Sequence, residues 1–107
     1  MYAVARTYSG VGAKEFMSLL ESRIDEIEKM MVSVDGFETY TLFRTEDGGM
    51  TVTLCRDKAG VDKSVEIARK WVSENAAQTK IGAPKVSSGE VILACGTLHR
   101  VAKTKAA

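Results

Sequence analysis

The chain has 107 residues, of which 45% are hydrophobic and 27% are charged, and its formal net charge at pH 7 is +1. A chain of this length supports one domain with one hydrophobic core. Because 15 basic and 14 acidic residues nearly cancel, the composition disfavours both nucleic acid and anionic membranes as partners. No segment approaches the roughly 20 apolar residues of a membrane span, and the N-terminus lacks the pattern of a secretory signal. We therefore expect a cytoplasmic protein.

The first predicted elements are a strand and a long helix. Residues Tyr2–Tyr8 alternate between two faces, as the side chains of a strand do. From Ala13 to about Ser33, apolar residues recur at steps of three and four, which is the mark of an amphipathic helix. We expect Asp35-Gly36 to end this helix, because glycine readily takes the left-handed conformation found after a helix C-terminus.

A hairpin and a second helix are predicted next. The strand-like runs Phe37–Thr45 and Met50–Cys55 are separated by Glu46–Gly49, a composition typical of a hairpin turn. Asp57 is a good N-cap for a helix from about Ala59 to Gln78, because its side chain can accept a hydrogen bond from the first turn.

The last predicted strand, Lys85–Gly96, contains the unbroken apolar run Val91–Cys95. A strand buried on one face alternates polar and apolar residues, so a continuous run predicts burial on both faces. The element order is strand, helix, strand, strand, helix, strand, and right-handed crossovers place both helices on one side of the sheet. The other side of this α+β domain then needs a twin subunit to cover it.

We place the domain boundary near Gly96. Residues 1–96 form the folded domain, and 97–107 form a basic C-terminal tail that includes Arg100, Lys103 and Lys105. Such a segment is typical of a mobile tail or of a short extension onto a neighbour.

Several common sites are disfavoured by the residue types present. Ser9–Gly12 lacks the third glycine of a dinucleotide fingerprint and the lysine of a P-loop. His99 is the only histidine and has no carboxylate cluster beside it, so neither a metal site nor a histidine-activated nucleophile is expected. Cys55 and Cys95 lie on different predicted strands and indicate buried reduced thiols. The strand Met50–Cys55 lacks the aromatic platform of an RNA-binding sheet. We expect no cofactor.

Five larger residues are predicted to border the space between sheet and helices: Arg6, Tyr8, Tyr40, Trp71 and Asn75. Trp71 and Asn75 are four residues apart and therefore lie on one side of the second helix. An indole and an amide there could bind a flat organic ligand by stacking and hydrogen bonding. The alternative is that Trp71 fills the core or a dimer seam, and that Asn75 faces solvent.

The chain resembles the dimeric alpha/beta-barrel superfamily, in particular the small proteins related to antibiotic biosynthesis monooxygenases. The stretches that carry the resemblance are Val34–Phe37, Ala68–Asn75 and Ser88–Val91, of which the helical one is the most specific. The resemblance covers Met1 to about Gly96. It implies a ferredoxin-like βαββαβ subunit with a four-stranded antiparallel sheet, which packs face to face against a twin to form a dimeric α/β barrel.

Known relatives of this type include cofactor-free oxygenases, haem-degrading enzymes, and isomerases or decarboxylases of small acids. Fold alone does not choose among these activities. The haem-degrading type would need a histidine on the second helix after the tryptophan, and Ala76–Ile81 contains none. A cofactor-free oxygenase needs a base and donors that stabilise the substrate anion. The donors could be Arg6, Tyr40, Trp71 and Asn75, while the base would have to be a carboxylate such as Glu90 or the substrate itself.

The leading hypothesis is a homodimeric monooxygenase-like protein that binds a small apolar or aromatic molecule and needs no cofactor. The competing hypothesis is a non-catalytic small-molecule-binding or regulatory homodimer, in which the predicted pocket residues serve as packing. The enzyme hypothesis requires an open cavity around Arg6, Tyr40 and Trp71, whereas the non-catalytic hypothesis does not. If side chains fill that space, catalysis there loses its support.

Overall fold

The protein consists of a layer of helices on one face of a β-sheet. In the computed structural model, residues 1–96 and 100–102 are described. The elements in chain order are β1 (Tyr2–Ser9), α1 (Ala13–Ser22), α2 (Ile24–Val32), β2 (Phe37–Thr45), β3 (Gly48–Cys55), α3 (Lys58–Asn75), a short 3-10 turn (Ala77–Thr79) and β4 (Lys85–Glu90). The strands form one antiparallel sheet in the order β2-β3-β1-β4. This confirms the predicted α+β architecture with a four-stranded sheet.

The two faces of the sheet follow from the alternation of side chains along the strands. On β1, Val4, Arg6 and Tyr8 are buried beneath the helices, while the residues between them lie on the outer face and are only partly buried. The register with β3 places Thr51 opposite Arg6 and Thr53 opposite Val4. The inner face is therefore partly polar at its centre.

Two clusters of apolar side chains hold the helices on this inner face. The larger one joins α1, α2 and α3 through residues that include Phe16, Ile27 and Trp71. The smaller one lies around Val4 and Val61. Trp71 was predicted to border the space between sheet and helices or to fill the core, and in the structure it belongs to the core.

The first predicted helix is interrupted in the structure, which was not anticipated. α1 ends at Ser22 and α2 begins at Ile24, because Arg23 has φ −118° and ψ 28°, outside the helical region. The Ser22 hydroxyl donates a hydrogen bond to the Leu19 carbonyl oxygen at 2.7 Å, a local contact that competes with the regular helical pattern. The sheet is consequently covered by three helices rather than two.

The last predicted strand is shorter than expected, and the prediction that Val91–Cys95 is a strand buried on both faces is wrong. β4 ends at Glu90, which pairs with Tyr2 at the very start of β1. After Glu90, the Val91 N–H still donates a hydrogen bond to the Met1 carbonyl oxygen at 2.9 Å, and the strand pairing ends there. The apolar run is left open, with Ile92 100% exposed and Leu93 80% exposed.

Little of the predicted basic tail can be compared with the structure, because 97–99 and 103–107 lie outside the described residues. Arg100 forms ion pairs with Asp25 at 2.7 Å and with Glu28 at 3.0 Å. The domain boundary stays a prediction. None of the helices in the described part of the chain combines the length and hydrophobicity that a membrane-spanning helix requires.

The predicted hairpin turn and the predicted N-cap of α3 are confirmed, whereas the predicted helix end at Asp35-Gly36 is not. β2 and β3 are joined through Glu46 and Asp47 as a hairpin, and the Asp57 carboxylate caps α3 by accepting a hydrogen bond from the Gly60 backbone N–H at 3.0 Å. Gly36 has φ 82°, but it lies in the turn before β2 and not at the helix end, because α2 already ends at Val32 with Ser33 as its C-cap. The hairpin turn thus sets the position of β3, which carries the buried Thr51 and Thr53.

Gly48 is a strand position where the structure has no room for a side chain. A Cβ there would collide with the Tyr8 carbonyl oxygen and lie 2.7 Å from the Ala13 Cβ, whereas a Cβ at Gly89 would meet nothing. We expect Gly48→Ala to lower the free energy of unfolding by about 2 kcal/mol, measured by urea denaturation. Gly89→Ala is the matched strand control and should change it by less than about 1 kcal/mol. Equal effects of the two substitutions would contradict this packing.

Candidate functional site

β1 carries one charged side chain into the interior of the protein. Only 2% of the Arg6 surface is exposed. Its Nε donates a hydrogen bond to Thr51 Oγ1 at 3.0 Å, and its Nη1 donates to the Ser64 carbonyl oxygen at 3.4 Å. The first contact comes from the β1–β3 register, and the second comes from α3 above the sheet.

The Arg6 guanidinium has neutral partners only. Among residues 1–96 and 100–102, no carboxylate forms an ion pair with it. A buried charge without a counter-charge is costly, because neutral hydrogen bonds replace only part of its lost hydration. Guanidinium has five N–H donors, so this group retains the capacity to bind an anion.

Two tyrosines lie near this charge. Burial raises the pKa of Tyr40 to about 12, and the positive charge of Arg6 opposes this rise. Burial likewise raises the pKa of Tyr8, again opposed by Arg6. The Tyr8 ring also packs on Phe16 with ring centroids 4.5 Å apart. Both phenols are therefore neutral at physiological pH, where they can donate hydrogen bonds but cannot act as bases.

A small cavity of about 20 Å³ lies between these groups. It is lined by Arg6, Tyr8, Phe16, Leu20, Ile27, Met30, Met31, Tyr40, Thr51, Ala68, Trp71 and Val72. Four of the five predicted pocket residues are thus brought together. The volume suffices for about one water molecule, so side chains fill most of the space. This conformation cannot hold an aromatic substrate, and catalysis would require the cavity to open.

Asn75, the fifth predicted residue, does not line this cavity. Its Oδ1 accepts a hydrogen bond from Arg23 Nη2 at 3.0 Å, and its Nδ2 donates to the Trp71 carbonyl oxygen at 3.0 Å. The Trp71 indole Nε1 donates to Glu26 Oε2 at 2.7 Å. The sequence did not single out Glu26, because it resembles the other charged residues on the solvent face of its helix.

A larger groove adjoins the cavity along the free edge of β2. Its volume is about 380 Å³, and it is lined by Ile24, Ile27, Glu28, Val32, Phe37, Glu38, Thr39, Tyr40, Thr41, Leu42, Arg100, Val101 and Ala102. Ile27 and Tyr40 line both spaces, so these two side chains form the wall between groove and cavity. Sequence reasoning missed the groove, because it depends on how α2 lies against β2.

No acid–base group lines the cavity. Its lining contains neither histidine nor carboxylate, and Glu90, the candidate base considered above, is exposed on β4. Within the described part of the chain, no three His, Cys, Asp or Glu residues come together as a metal site would require. The chemistry that the described residues can supply at the cavity is therefore anion binding and hydrogen-bond donation.

The raised pKa of Tyr40 predicts a specific loss of stability in alkali. A phenol whose folded pKa is about 12 and whose unfolded pKa is about 10 adds stability below pH 10, and this is lost as the pH rises toward 12. We expect the free energy of unfolding of the wild type to fall by about 1 kcal/mol more than that of Tyr40→Phe between pH 10 and 11, measured by urea denaturation. Parallel curves for the two proteins would contradict the burial of a neutral Tyr40.

Comparisons with known proteins relate the chain to solved structures only. No protein-family model matches it, and no curated protein does. A protein of unknown function from Nitrosomonas europaea matches with a TM-score of 0.66 and 14% identity over 92% of this chain and 94% of that one. A candidate antibiotic biosynthesis monooxygenase from Deinococcus radiodurans has a TM-score of 0.66 and 12% identity, covering 92% of this chain and 100% of its own.

A third match is a mutant of a cofactor-independent oxygenase from Streptomyces nogalater, with a TM-score of 0.54 and 11% identity over 87% of this chain and 92% of that one. Identities this low relate folds and leave the activity open. The resemblance inferred from sequence is confirmed at that level. The chain has the ferredoxin-like fold of the antibiotic biosynthesis monooxygenase-like proteins.

Proposed function

We propose that this protein is a cytoplasmic homodimer that binds a small aromatic molecule, as an anion, beside Arg6, and that it acts on this molecule as a cofactor-independent monooxygenase. The observation that carries the proposal is the buried guanidinium of Arg6, which has only neutral partners among the described residues. An anionic ligand would supply the missing counter-charge. Its binding would thereby recover part of the energy that burial of the charge costs.

The side chains around Arg6 suit an aromatic enolate or phenolate. Phe16 and Trp71 provide flat apolar walls, while Tyr8 and Tyr40 provide neutral hydrogen-bond donors. Such an anion spreads its charge over an oxygen and a ring system. The oxygen would accept hydrogen bonds from the guanidinium and the phenols, and the ring would pack against the aromatic walls.

An oxygenase reaction at this site needs little beyond stabilisation of that anion. A substrate with an acidic CH₂ group loses a proton, and the carbanion transfers one electron to O₂. The two radicals combine to form a C–O bond, and protonation gives a hydroperoxide. Loss of water then leaves a carbonyl, so that CH₂ and O₂ become C=O and H₂O. The substrate supplies all the electrons, which is why this reaction needs no cofactor.

The absence of a base from the cavity lining narrows the substrate class. With neither histidine nor carboxylate along the lining, proton removal depends on the acidity of the substrate itself. Anthrone-like ketones and quinols are acidic enough to ionise when a cation stabilises the product anion. A solved structure with the same fold is named a cofactor-independent oxygenase, which supports the choice of reaction.

The second candidate is a non-catalytic homodimer that binds or senses the same class of molecule. The specific observation in its favour is the cavity volume of about 20 Å³, because ligand sites usually measure about 300 Å³ or more. A binding protein also needs no base. Both candidates require Arg6 and an opening of the cavity, and they differ only in whether O₂ is consumed.

The homodimer is proposed from the outer face of the sheet. This face carries Ala3, Ala5, Phe43, Met50, Val52 and Leu54, of which Ala3 pairs with Leu54 and Ala5 with Val52. Together they form a contiguous apolar surface on the side away from the helices. A twin subunit packed on it would bury this surface, with a gain of about 25 cal/mol per Å².

Oxygen consumption tests the enzymatic proposal. We expect the wild type to consume O₂ with at least one member of a panel of anthrones and quinols. Arg6→Met should lower kcat/KM at least about 100-fold, because it removes the charge that stabilises the anion. Arg44→Met is the matched control, since Arg44 is exposed, and it should leave turnover unchanged. Circular dichroism would verify that both variants are folded.

If no member of the panel is turned over, but several bind to the wild type, the non-catalytic candidate is favoured. Turnover that survives in Arg6→Met would contradict the role given to the guanidinium.

Sedimentation velocity tests the homodimer. We expect the wild type to sediment at micromolar concentration as a particle of about twice the 11.6 kDa chain mass. Val52→Glu would place a charge in the centre of the proposed interface and should raise the dimer dissociation constant at least about 100-fold. Val11→Glu is the control, because Val11 is 81% exposed in a turn. A wild type that sediments as a single chain would refute the dimer.

A further inference from the structure

Four side chains form a closed ring of contacts between α2 and α3. Arg23 donates to Glu26 Oε1 at 3.3 Å and to Asn75 Oδ1 at 3.0 Å. Trp71 Nε1 donates to Glu26 Oε2 at 2.7 Å, and Asn75 Nδ2 donates back to the Trp71 carbonyl oxygen at 3.0 Å. The Arg23 guanidinium also lies 5.7 Å from the centroid of the Trp71 ring. This ring of four residues is called the latch below.

The latch lies at the point where the helical layer is interrupted. Arg23 is the single non-helical residue between α1 and α2, and the segment contains neither glycine nor proline to impose a break. No side-chain hydrogen bond caps the N-terminus of α2. α2 is therefore a separate nine-residue helix joined to α1 through one residue, and the latch connects it to α3.

α2 separates the two spaces of the candidate site. Ile27, Met30 and Met31 of this helix line the Arg6 cavity, and Ile27 also lines the groove beside β2. A displacement of α2 away from α3 would therefore enlarge the cavity and join it to the groove of about 380 Å³. Of the helices in the described residues, α2 alone borders both spaces.

We propose that α2 is a lid over the Arg6 cavity, and that the latch determines how often the lid opens. Glu26 acts as a positioning residue: it holds the Trp71 indole against the cavity and ties α2 to α3. Ligand enters from the groove when the Glu26–Trp71 hydrogen bond breaks. This inference rests on the proposed function for its ligand, an aromatic anion, whereas the movement of α2 does not depend on it.

Trp71 itself reports on the lid, because it is the single tryptophan of the chain. We expect Glu26→Ala to increase quenching of its fluorescence by acrylamide at least about threefold, since the indole loses its hydrogen bond and α2 separates more often from α3. Glu26→Gln retains a carbonyl oxygen that can accept the indole N–H and should restore quenching to near the wild-type value. Lys29→Ala alters an exposed residue of the same helix and serves as the matched control.

Ligand entry gives the second readout. With 1-naphthoate as the probe and Trp71 emission as the signal, stopped-flow mixing should show association about tenfold faster in Glu26→Ala than in the wild type, equivalent to about 1.4 kcal/mol in the opening equilibrium. Glu26→Gln and Lys29→Ala should associate at the wild-type rate. Hydrogen exchange should be faster in Glu26→Ala over 24–32 and unchanged over 13–22.

Three results would overturn the lid. The first is that Trp71 quenching and 1-naphthoate association in Glu26→Ala equal those of the wild type. The second is that hydrogen exchange in Glu26→Ala rises equally in α1 and α2. The third is that Glu26→Gln shows the same quenching and association rate as Glu26→Ala. If 1-naphthoate binds to none of these proteins, the proposed function fails, and the quenching and exchange measurements still decide the role of the latch.

Discussion

The buried guanidinium of Arg6 is the constraint around which the interior is arranged. Strand alternation commits this side chain to the helix side of the sheet, between two residues that belong to the core. Thr51 on β3 and the Ser64 carbonyl oxygen on α3 then satisfy part of its hydrogen-bonding capacity. A purely apolar core would leave these donors without acceptors. The burial of Thr51 beneath the helices follows from this contact with Arg6, whereas the buried Ser64 hydroxyl donates to the Val61 carbonyl oxygen.

The same constraint connects structure to function. Tyr8 and Tyr40 remain neutral because burial outweighs the effect of the adjacent charge on their pKa values. Among the residues that the structure describes, the buried Arg6 charge therefore has no buried anion to match it. The closed cavity has room for about one water molecule. Binding of the proposed anion would therefore require this closed form to alternate with an open one, and the proposed lid α2, attached to α1 through Arg23 alone, is the element assigned to that movement.

The spacing of apolar residues in the sequence was sufficient to predict the fold class. In strands and in helices this spacing follows from which side of the element is buried. It also placed Arg6, Tyr8, Tyr40 and Trp71 together, since alternation and helical spacing determine which sides of β1, β2 and α3 these residues occupy. The interruption at Arg23 had no local signal, because its side-chain partners include Asn75, which is distant in sequence. Glu26 escaped notice for the same reason.

The end of β4 shows a different limit. The apolar run after Glu90 has every local property of a strand, but strand pairing depends on a partner, and β1 begins at Tyr2. A run of apolar residues indicates that a segment favours the strand conformation. It does not indicate how far the neighbouring strand extends. The proposed twin subunit would therefore cover the apolar outer face of β1, β2 and β3, and this apolar run is not the surface that requires it.

Selective binding of an anion tests the central claim about Arg6 most directly. Dissociation constants of 1-naphthoate and of its neutral analogue 1-naphthamide can be measured through the emission of Trp71. The account predicts that the carboxylate binds at least about tenfold more tightly to the wild type, and that Arg6→Met abolishes this preference. Equal affinity for the two compounds, or a preference that survives in Arg6→Met, would contradict it.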